Sequence, residues 1–137
     1  MRLAFPGGAR PDPWDRNPVS ATQSYSGATV APHSSTVRWT YTVPTGRKAL
    51  VSAFHISVRR AAAATTASTA TAFLMLNGTN VFHVTLVNNT VDATQRLELS
   101  AALYLTAGDE LRAVTLDSST GGYIDYNVVA VVTEFDA

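Results

Sequence analysis

After residue 35, apolar side chains recur at every second position through most of the chain. Two consecutive segments show this clearly, residues 36–43 and residues 49–59, with Pro44 and Gly46 between them. The apolar face of the first segment consists of Val37, Trp39, Tyr41 and Val43, and that of the second consists of Leu50, Phe54, Ile56 and Val58. A period of two is typical of half-buried β-strands, so the pattern predicts two strands joined by a tight turn.

Asn77 and Gly78 separate two apolar runs within residues 73–84. An Asn-Gly pair in this position favours a type I′ turn, because both central residues of that turn need a positive φ. These residues therefore predict an antiparallel hairpin.

The preceding residues, 60–72, are almost all Ala, Thr and Ser. Because Thr lowers helix propensity, we expect a loop that enters a strand.

The same alternation predicts four further strands, over residues 94–100, 102–105, 111–116 and 123–135. No segment of ten residues or more shows the 3.6-residue period of an amphipathic helix. We therefore predict that residues 36–137 form an all-β domain, an eight-stranded antiparallel jelly-roll-like β-sandwich.

The first 35 residues have a different character, because four of the six prolines lie within the first eighteen positions and no regular period is visible. We predict that residues 1–35 form an extended Pro-rich N-terminal arm, which can lie along another surface and bind it through isolated large side chains. The arm residues that we expect to bind a partner are Leu3, Phe5, Trp14, Arg16 and Tyr25. On this interpretation, a chain that lacks residues 1–30 still folds.

Composition and charge narrow the classes of function. Ten Lys and Arg residues balance ten Asp and Glu residues among 137, and cysteine is absent. Without a net positive charge, we expect no binding to nucleic acid or to an anionic membrane. No apolar run reaches the ~20 residues of a membrane span, and the first ten residues lack a signal-peptide core, so we expect a soluble protein that is not exported.

The chain offers few residues for catalysis. His33, His55 and His83 are far apart, so the His-x-His pair of jelly-roll metal enzymes is missing. The Gly-x-Ser-x-Gly motif of serine hydrolases is also absent. The acidic candidates, which we expect to be solvated turn carboxylates, are Asp109, Glu110, Asp117 and Asp125. We therefore predict that the protein is not an enzyme and uses no metal and no cofactor.

Aromatic side chains leave one alternative open, since an exposed ring can stack on a sugar. The candidates are Trp39, Tyr123 and Tyr126. Trp39 shares a face with other apolar residues, and Tyr126 has the same parity as its apolar neighbours, so core packing is expected for both. A carbohydrate- or receptor-binding module is the alternative to a structural protein.

Two phrases in the sequence resemble a known family. Residues 43–51 read Val-Pro-Thr-Gly-Arg-Lys-Ala-Leu-Val, and residues 103–111 read Leu-Tyr-Leu-Thr-Ala-Gly-Asp-Glu-Leu. Over residues 36–135 the chain resembles small jelly-roll virion proteins of tailed bacteriophages, which share a Val-Pro-x-Gly-Lys turn and a Leu-x-Leu-x-x-Gly-Asp phrase. The second phrase also occurs in the trimeric tumour-necrosis-factor and complement C1q jelly rolls.

This resemblance implies a structural protein of the phage virion, made in the host bacterial cytoplasm. Its most specific form is a capsid decoration (cement) protein that binds the capsid exterior as a homotrimer and clamps neighbouring subunits through the N-terminal arm. The implied partners are the major capsid protein or other virion proteins. A tail or fibre component, or a receptor-binding module, is the alternative.

Overall fold

The computed structural model describes residues 17–30, 35–62, 69–87, 90–117 and 123–137. Within these ranges the chain forms nine strands and no helix. The strands are β1 (Val19–Ser20), β2 (Gln23–Val30), β3 (Thr36–Thr42), β4 (Arg47–Ala62), β5 (Ala70–Leu76), β6 (Thr79–Leu86), β7 (Thr94–Thr106), β8 (Glu110–Asp117) and β9 (Tyr123–Asp136).

The strands build two antiparallel sheets that pack as a sandwich. The five-stranded sheet has the order β2, β9, β4, β7, with the short β1 also paired to β9, and the four-stranded sheet has the order β3, β8, β5, β6. The pairing is nested, because β2 pairs with β9, β3 with β8, β4 with β7, and β5 with β6. Such nesting around a central hairpin is the topology of a jelly roll. The prediction of an all-β antiparallel sandwich is confirmed.

This topology gives the sandwich two unlike ends. At one end, which we call the short-turn end, the connections are residues 43–46, 77–78 and 107–109. At the opposite, long-loop end, the connections are residues 31–35, 63–69, 87–93 and 118–122. Loops position most functional residues of β-sandwiches, so the two ends offer different places for a functional site.

The core lies between the two sheets and consists of inward-facing side chains from alternate positions. The rings of Phe54 and Phe82 meet across the two sheets, with their centroids 5.0 Å apart. The indole N–H of Trp39 donates a hydrogen bond of 3.1 Å to the backbone oxygen of Val128 in the other sheet. Trp39 thus packs against the core, as its strand position predicted.

Two β-bulges correct the predicted apolar faces. The pairing register of β3 shifts between Val37 and Trp39, and the side chain of Val37, predicted to be buried, is 50% exposed. The register of β4 shifts between Val51 and Ala53, so Leu50 is not on the buried parity of the residues that follow. A bulge inserts one residue into a strand, and the alternation of faces inverts beyond it.

Strand boundaries also differ from the prediction. Residues 94–106 form one continuous strand instead of two, and β4 extends to Ala62 while β5 begins at Ala70, where a loop was expected. The hairpin prediction is confirmed, because Asn77 and Gly78 have φ values of 50° and 79°.

The N-terminal part of the described chain belongs to the sandwich. Residues 23–30, which the sequence assigned to the arm, form β2 and pair with residues 123–130 of β9. β2 is therefore the first strand of the jelly roll, and deletion of residues 1–30 removes an edge strand. Residues 1–16 lie outside the described residues.

Candidate functional site

The predicted partner-binding residues fall into two groups. Leu3, Phe5, Trp14 and Arg16 lie outside the described residues, so their contacts stay predictions. Tyr25 lies on β2, where its side chain packs against the core. The guanidinium carbon of Arg38 lies 4.6 Å from the centre of the Tyr25 ring. Tyr25 thus has a role in the fold, and its contact with a partner stays a prediction.

A polar cluster, which we call the anchor, fixes the chain at Asn17. Arg47 forms an ion pair with Asp136 and donates a hydrogen bond of 3.0 Å to the backbone oxygen of Asn17. The side-chain amide of Asn17 donates to the same carboxylate. Residues 1–16 therefore join the sandwich at a fixed point of the short-turn end. Sequence reasoning missed this cluster, because Arg47 and Asp136 are 89 positions apart and carry no local signal.

Asp109, expected to be a solvated turn residue, instead ties two turns of the short-turn end together. Its Oδ2 accepts a hydrogen bond of 2.9 Å from the backbone N–H of Thr106, and its Oδ1 accepts one of 3.0 Å from the side-chain amide of Asn77. These bonds, the one from Thr106 first, lower the pKa of Asp109. Asn77 in turn accepts a bond of 2.8 Å from the backbone N–H of Glu110. The Gly-Asp phrase is thus a structural device.

The interior of the long-loop end is polar. Arg60 and Asp117 are 0% and 3% exposed, so the expectation that Asp117 is a solvated turn carboxylate is wrong. Asp117 faces inward because β8 extends through it with unbroken alternation. Tyr126 is also buried, as predicted, and its hydroxyl has no hydrogen-bond partner among the described residues. Burial, with a smaller contribution from the charge of Asp117, raises the pKa of Tyr126.

The remaining titratable candidates do not converge on a reaction centre. His55 Nδ1 lies 3.0 Å from Glu98 Oε1, while His83 is exposed on β6 and His33 lies outside the described residues. Asp125 accepts hydrogen bonds from Arg59. Within the described ranges, no three His, Cys, Asp or Glu side chains are placed to hold a metal ion. In the same ranges, no helix has the length and hydropathy needed to cross a membrane.

The outer face of the four-stranded sheet carries an apolar patch. Val37, Val114 and Phe73 are register partners across three strands, and Met75 and Leu116 flank this row on the same face, on opposite sides of it. Val37 is 50% exposed and Leu116 is 37% exposed. Because the bulge in β3 turns Val37 outward, the sequence pattern assigned this side chain to the core and missed the patch.

The outer face of the five-stranded sheet is polar towards the long-loop end. It contains an open depression of about 380 Å³, which we call the polar depression. Its main polar side chains are Ser26, Ser57, Arg59, Arg96, Asp125 and Asn127. The apolar patch and the polar depression thus lie on the outer faces of different sheets.

Comparison with known proteins adds little to this description. No family model and no curated protein matches the sequence. Among solved structures, the chain is similar to dimeric latent PorU from Porphyromonas gingivalis, with 14% identity and a TM-score of 0.45 over 99% of this chain and 14% of that one. It is also similar to a structure of infectious bursal disease virus Gt strain, with 9% identity and a TM-score of 0.41 over 99% of this chain and 38% of that one. The chain spans less than two fifths of the length of either.

Proposed function

We propose that this chain is a non-enzymatic structural protein of a tailed-phage virion. Specifically, it is a capsid decoration protein that binds the capsid exterior as a homotrimer and clamps neighbouring subunits through residues 1–16. The observation that carries the proposal is the attachment of the N-terminal segment, since β1 and β2 pair with β9 and the anchor fixes Asn17. A segment that starts from a fixed point can bind a neighbouring subunit while the sandwich stays intact.

The side chains of residues 1–16 suit this role. Leu3, Phe5 and Trp14 are large and apolar, and prolines and glycines separate Phe5 from Trp14. Buried aromatic side chains dominate the binding energy of most interfaces. Contacts repeated around a trimer would multiply the strength of attachment.

The apolar patch supports contact with a second copy of the chain. Of its exposed residues, Val37 is the register partner of Val114 and Leu116 is two residues from Val114 on the same face, so the patch spans β3 and β8. Contiguous apolar patches on soluble proteins mark interaction sites. We assign this patch to the contact between subunits of the trimer.

The role of the carboxylates supports a structural function over an enzymatic one. Asp109 ties turns together, Asp125 pairs with Arg59, and Asp136 belongs to the anchor. General acid–base catalysis needs carboxylates that converge on a substrate position, and these three lie at separate places and hold the fold.

The location is tested by immunogold electron microscopy of purified phage particles from the source culture, with an antibody against the purified chain. We expect label over the capsid shell. Label confined to the tail would favour the alternative of a tail or fibre component, and particles free of the chain would overturn a virion role.

The assembly state is tested by light scattering coupled to size-exclusion chromatography. We expect a species of about 44 kDa, three times the 14.6 kDa of the chain, and a monomer for Val37→Glu. Val131→Glu is the matched control, because Val131 is a 39% exposed valine on the outer face of the other sheet. A monomeric unmodified chain, or equal effects of the two substitutions, would contradict this assignment.

A further inference from the structure

The polar depression has the features of a ligand site, and we propose that it binds an acidic saccharide, a polyhydroxylated ring that carries one carboxylate. This inference goes beyond the proposed virion role and does not depend on it. It rests on the shape of the depression, on one fixed wall and on one available guanidinium.

The shape follows from a row of residues across four strands. Ser26, Asn127, Ser57 and Arg96 are successive register partners on β2, β9, β4 and β7. With neighbouring strands about 4.8 Å apart, the row is about 14 Å wide. The short side chains of the row form the floor of the depression, and the longer side chains of Arg59 and Arg96 border it. The volume of about 380 Å³ lies within the range of small-molecule sites.

One wall is held rigidly by Arg59. Its Nε and Nη2 donate hydrogen bonds of 3.2 and 2.9 Å to Asp125 Oδ2, and its Nη1 donates one of 2.7 Å to Asp92 Oδ1. The turn that carries Asp92 is fixed to β4, because the backbone N–H of Asp92 donates to the Arg60 oxygen at 2.7 Å. Two carboxylates thus balance Arg59, and the other oxygen of Asp125 can accept a hydrogen bond from a sugar hydroxyl.

Arg96 supplies a second guanidinium, at the β7 end of the row. Its side chain is exposed, and its guanidinium forms no ion pair or hydrogen bond with another side chain of the described ranges. A guanidinium binds a carboxylate through two parallel hydrogen bonds. Next to Arg96 in the row, Ser57 and Asn127 offer hydroxyl and amide groups for ring hydroxyls. A neutral sugar would offer no charged partner to Arg96. A small inorganic anion would be too small to form hydrogen bonds along the row.

Tyr123 adds a surface for stacking beside the depression. It is 46% exposed and lies on the same face of β9 as Asp125, two residues away. Of the three aromatic residues considered for sugar binding, Trp39 and Tyr126 pack in the core region, whereas Tyr123 lies at the surface. The exposed tyrosine and the hydrogen-bonding row together suit one ring of a saccharide.

The test is a calorimetric titration of the full-length protein with D-glucuronate, and with D-glucose and acetate as matched probes. We expect saturable binding of glucuronate that is at least tenfold tighter than that of either control. Arg96→Gln should weaken glucuronate binding at least tenfold and leave the weak glucose binding unchanged. Arg112→Gln, the same substitution on the outer face of the other sheet, should change neither.

A second variant tests the location independently of charge. Ser57→Phe fills the floor of the depression and should abolish glucuronate binding, while its melting temperature stays close to that of the unmodified protein because Ser57 faces solvent. Equal binding of acetate and glucuronate would overturn a saccharide site in favour of a simple anion site. Absence of saturable binding up to roughly 50 mM, far weaker than useful recognition, would overturn the proposal altogether.

Discussion

The two ends of the sandwich are stabilised by different kinds of contact. At the short-turn end, Asp109 in a turn and Arg47 at the start of β4 each bind several neighbours. At the long-loop end, Arg60, Asp117 and Tyr126 are buried between the sheets. Turn geometry therefore fixes one end with local hydrogen bonds. The other end buries charge, which costs desolvation and makes its stability depend on every member of the polar group.

The largest expected effect on stability comes from deletion of β2. This strand pairs with β9, and its Tyr25 side chain packs against the core. A chain that lacks residues 1–30 loses this strand, exposes the edge of β9 and uncovers the core beside Tyr126, since Gly27 pairs with Tyr126. We expect it to unfold or aggregate, as seen by circular dichroism and size-exclusion chromatography.

The matched control for that deletion is a chain that lacks only residues 1–16. It keeps β1, β2 and the anchor, and its melting temperature should stay within a few degrees of the full chain. Equal loss of structure in both chains would place essential fold contacts in residues 1–16, against the proposed role in attachment.

The next effect compares two adjacent arginines on β4. Arg60 is 0% exposed, whereas the Arg59 side chain is 46% exposed in its ion pairs with Asp92 and Asp125. Arg60 and Asp117 are both buried and both act electrostatically on the hydroxyl of Tyr126. Removal of the Arg60 charge would leave the buried charge of Asp117 uncompensated, so Arg60→Met should lower the free energy of unfolding by about 3–5 kcal/mol. Arg59→Met should have a much smaller effect, because solvent screens surface pairs. Urea denaturation measures both, and similar losses would mean that burial of the Arg60 charge does not control the stability of the long-loop end.

The sequence predicted the features of the fold that have local signals and missed those that arise from strand pairing. The period of two and the Asn77-Gly78 pair predicted the sandwich and its hairpin, because both signals are local. The bulge beside Val37 left no such signal, since it arises from the pairing of β3 with β8. Strand β2 was missed because its sequence, Gln-Ser-Tyr-Ser-Gly-Ala-Thr-Val, has few large apolar residues and lies at an edge.

The candidate sites were predictable to a smaller extent. Apolar residues of the arm could be named from composition alone, but the anchor and the polar depression depend on residues brought together from distant strands. Arg96 illustrates the reason, since the alternation predicted only that residues 94–100 form a strand. Its position beside Ser57 is set by the register between β7 and β4, which no single segment encodes.

A smaller effect is expected at the short-turn end, from Asp109→Ala. Loss of the hydrogen bonds from Thr106 and Asn77 should cost about 1–2 kcal/mol at pH 7. The pKa of Asp109 is lowered in the folded state, so its contribution is fully present above its ordinary value near 4 and disappears as the pH falls through the lowered value. The difference in unfolding free energy between the two proteins should therefore shrink below about pH 4. A difference that stays constant to pH 2 would show that the carboxylate charge has no part in it.

The smallest and sharpest comparison removes one hydroxyl from each end. The hydroxyl of Tyr41, near the short-turn end, donates a hydrogen bond of 3.1 Å to Glu134 Oε1, while that of Tyr126 is buried without a partner among the described residues. Tyr41→Phe should cost about 1 kcal/mol, because a charged acceptor loses its donor. Tyr126→Phe should be neutral or slightly stabilising, because it removes a polar atom that gains nothing from burial. Thermal and urea denaturation of the two variants measure the change in the free energy of unfolding that each hydroxyl causes. If Tyr126→Phe costs as much as Tyr41→Phe, the hydroxyl of Tyr126 is satisfied by internal water, and the long-loop end is held by a hydrated polar network.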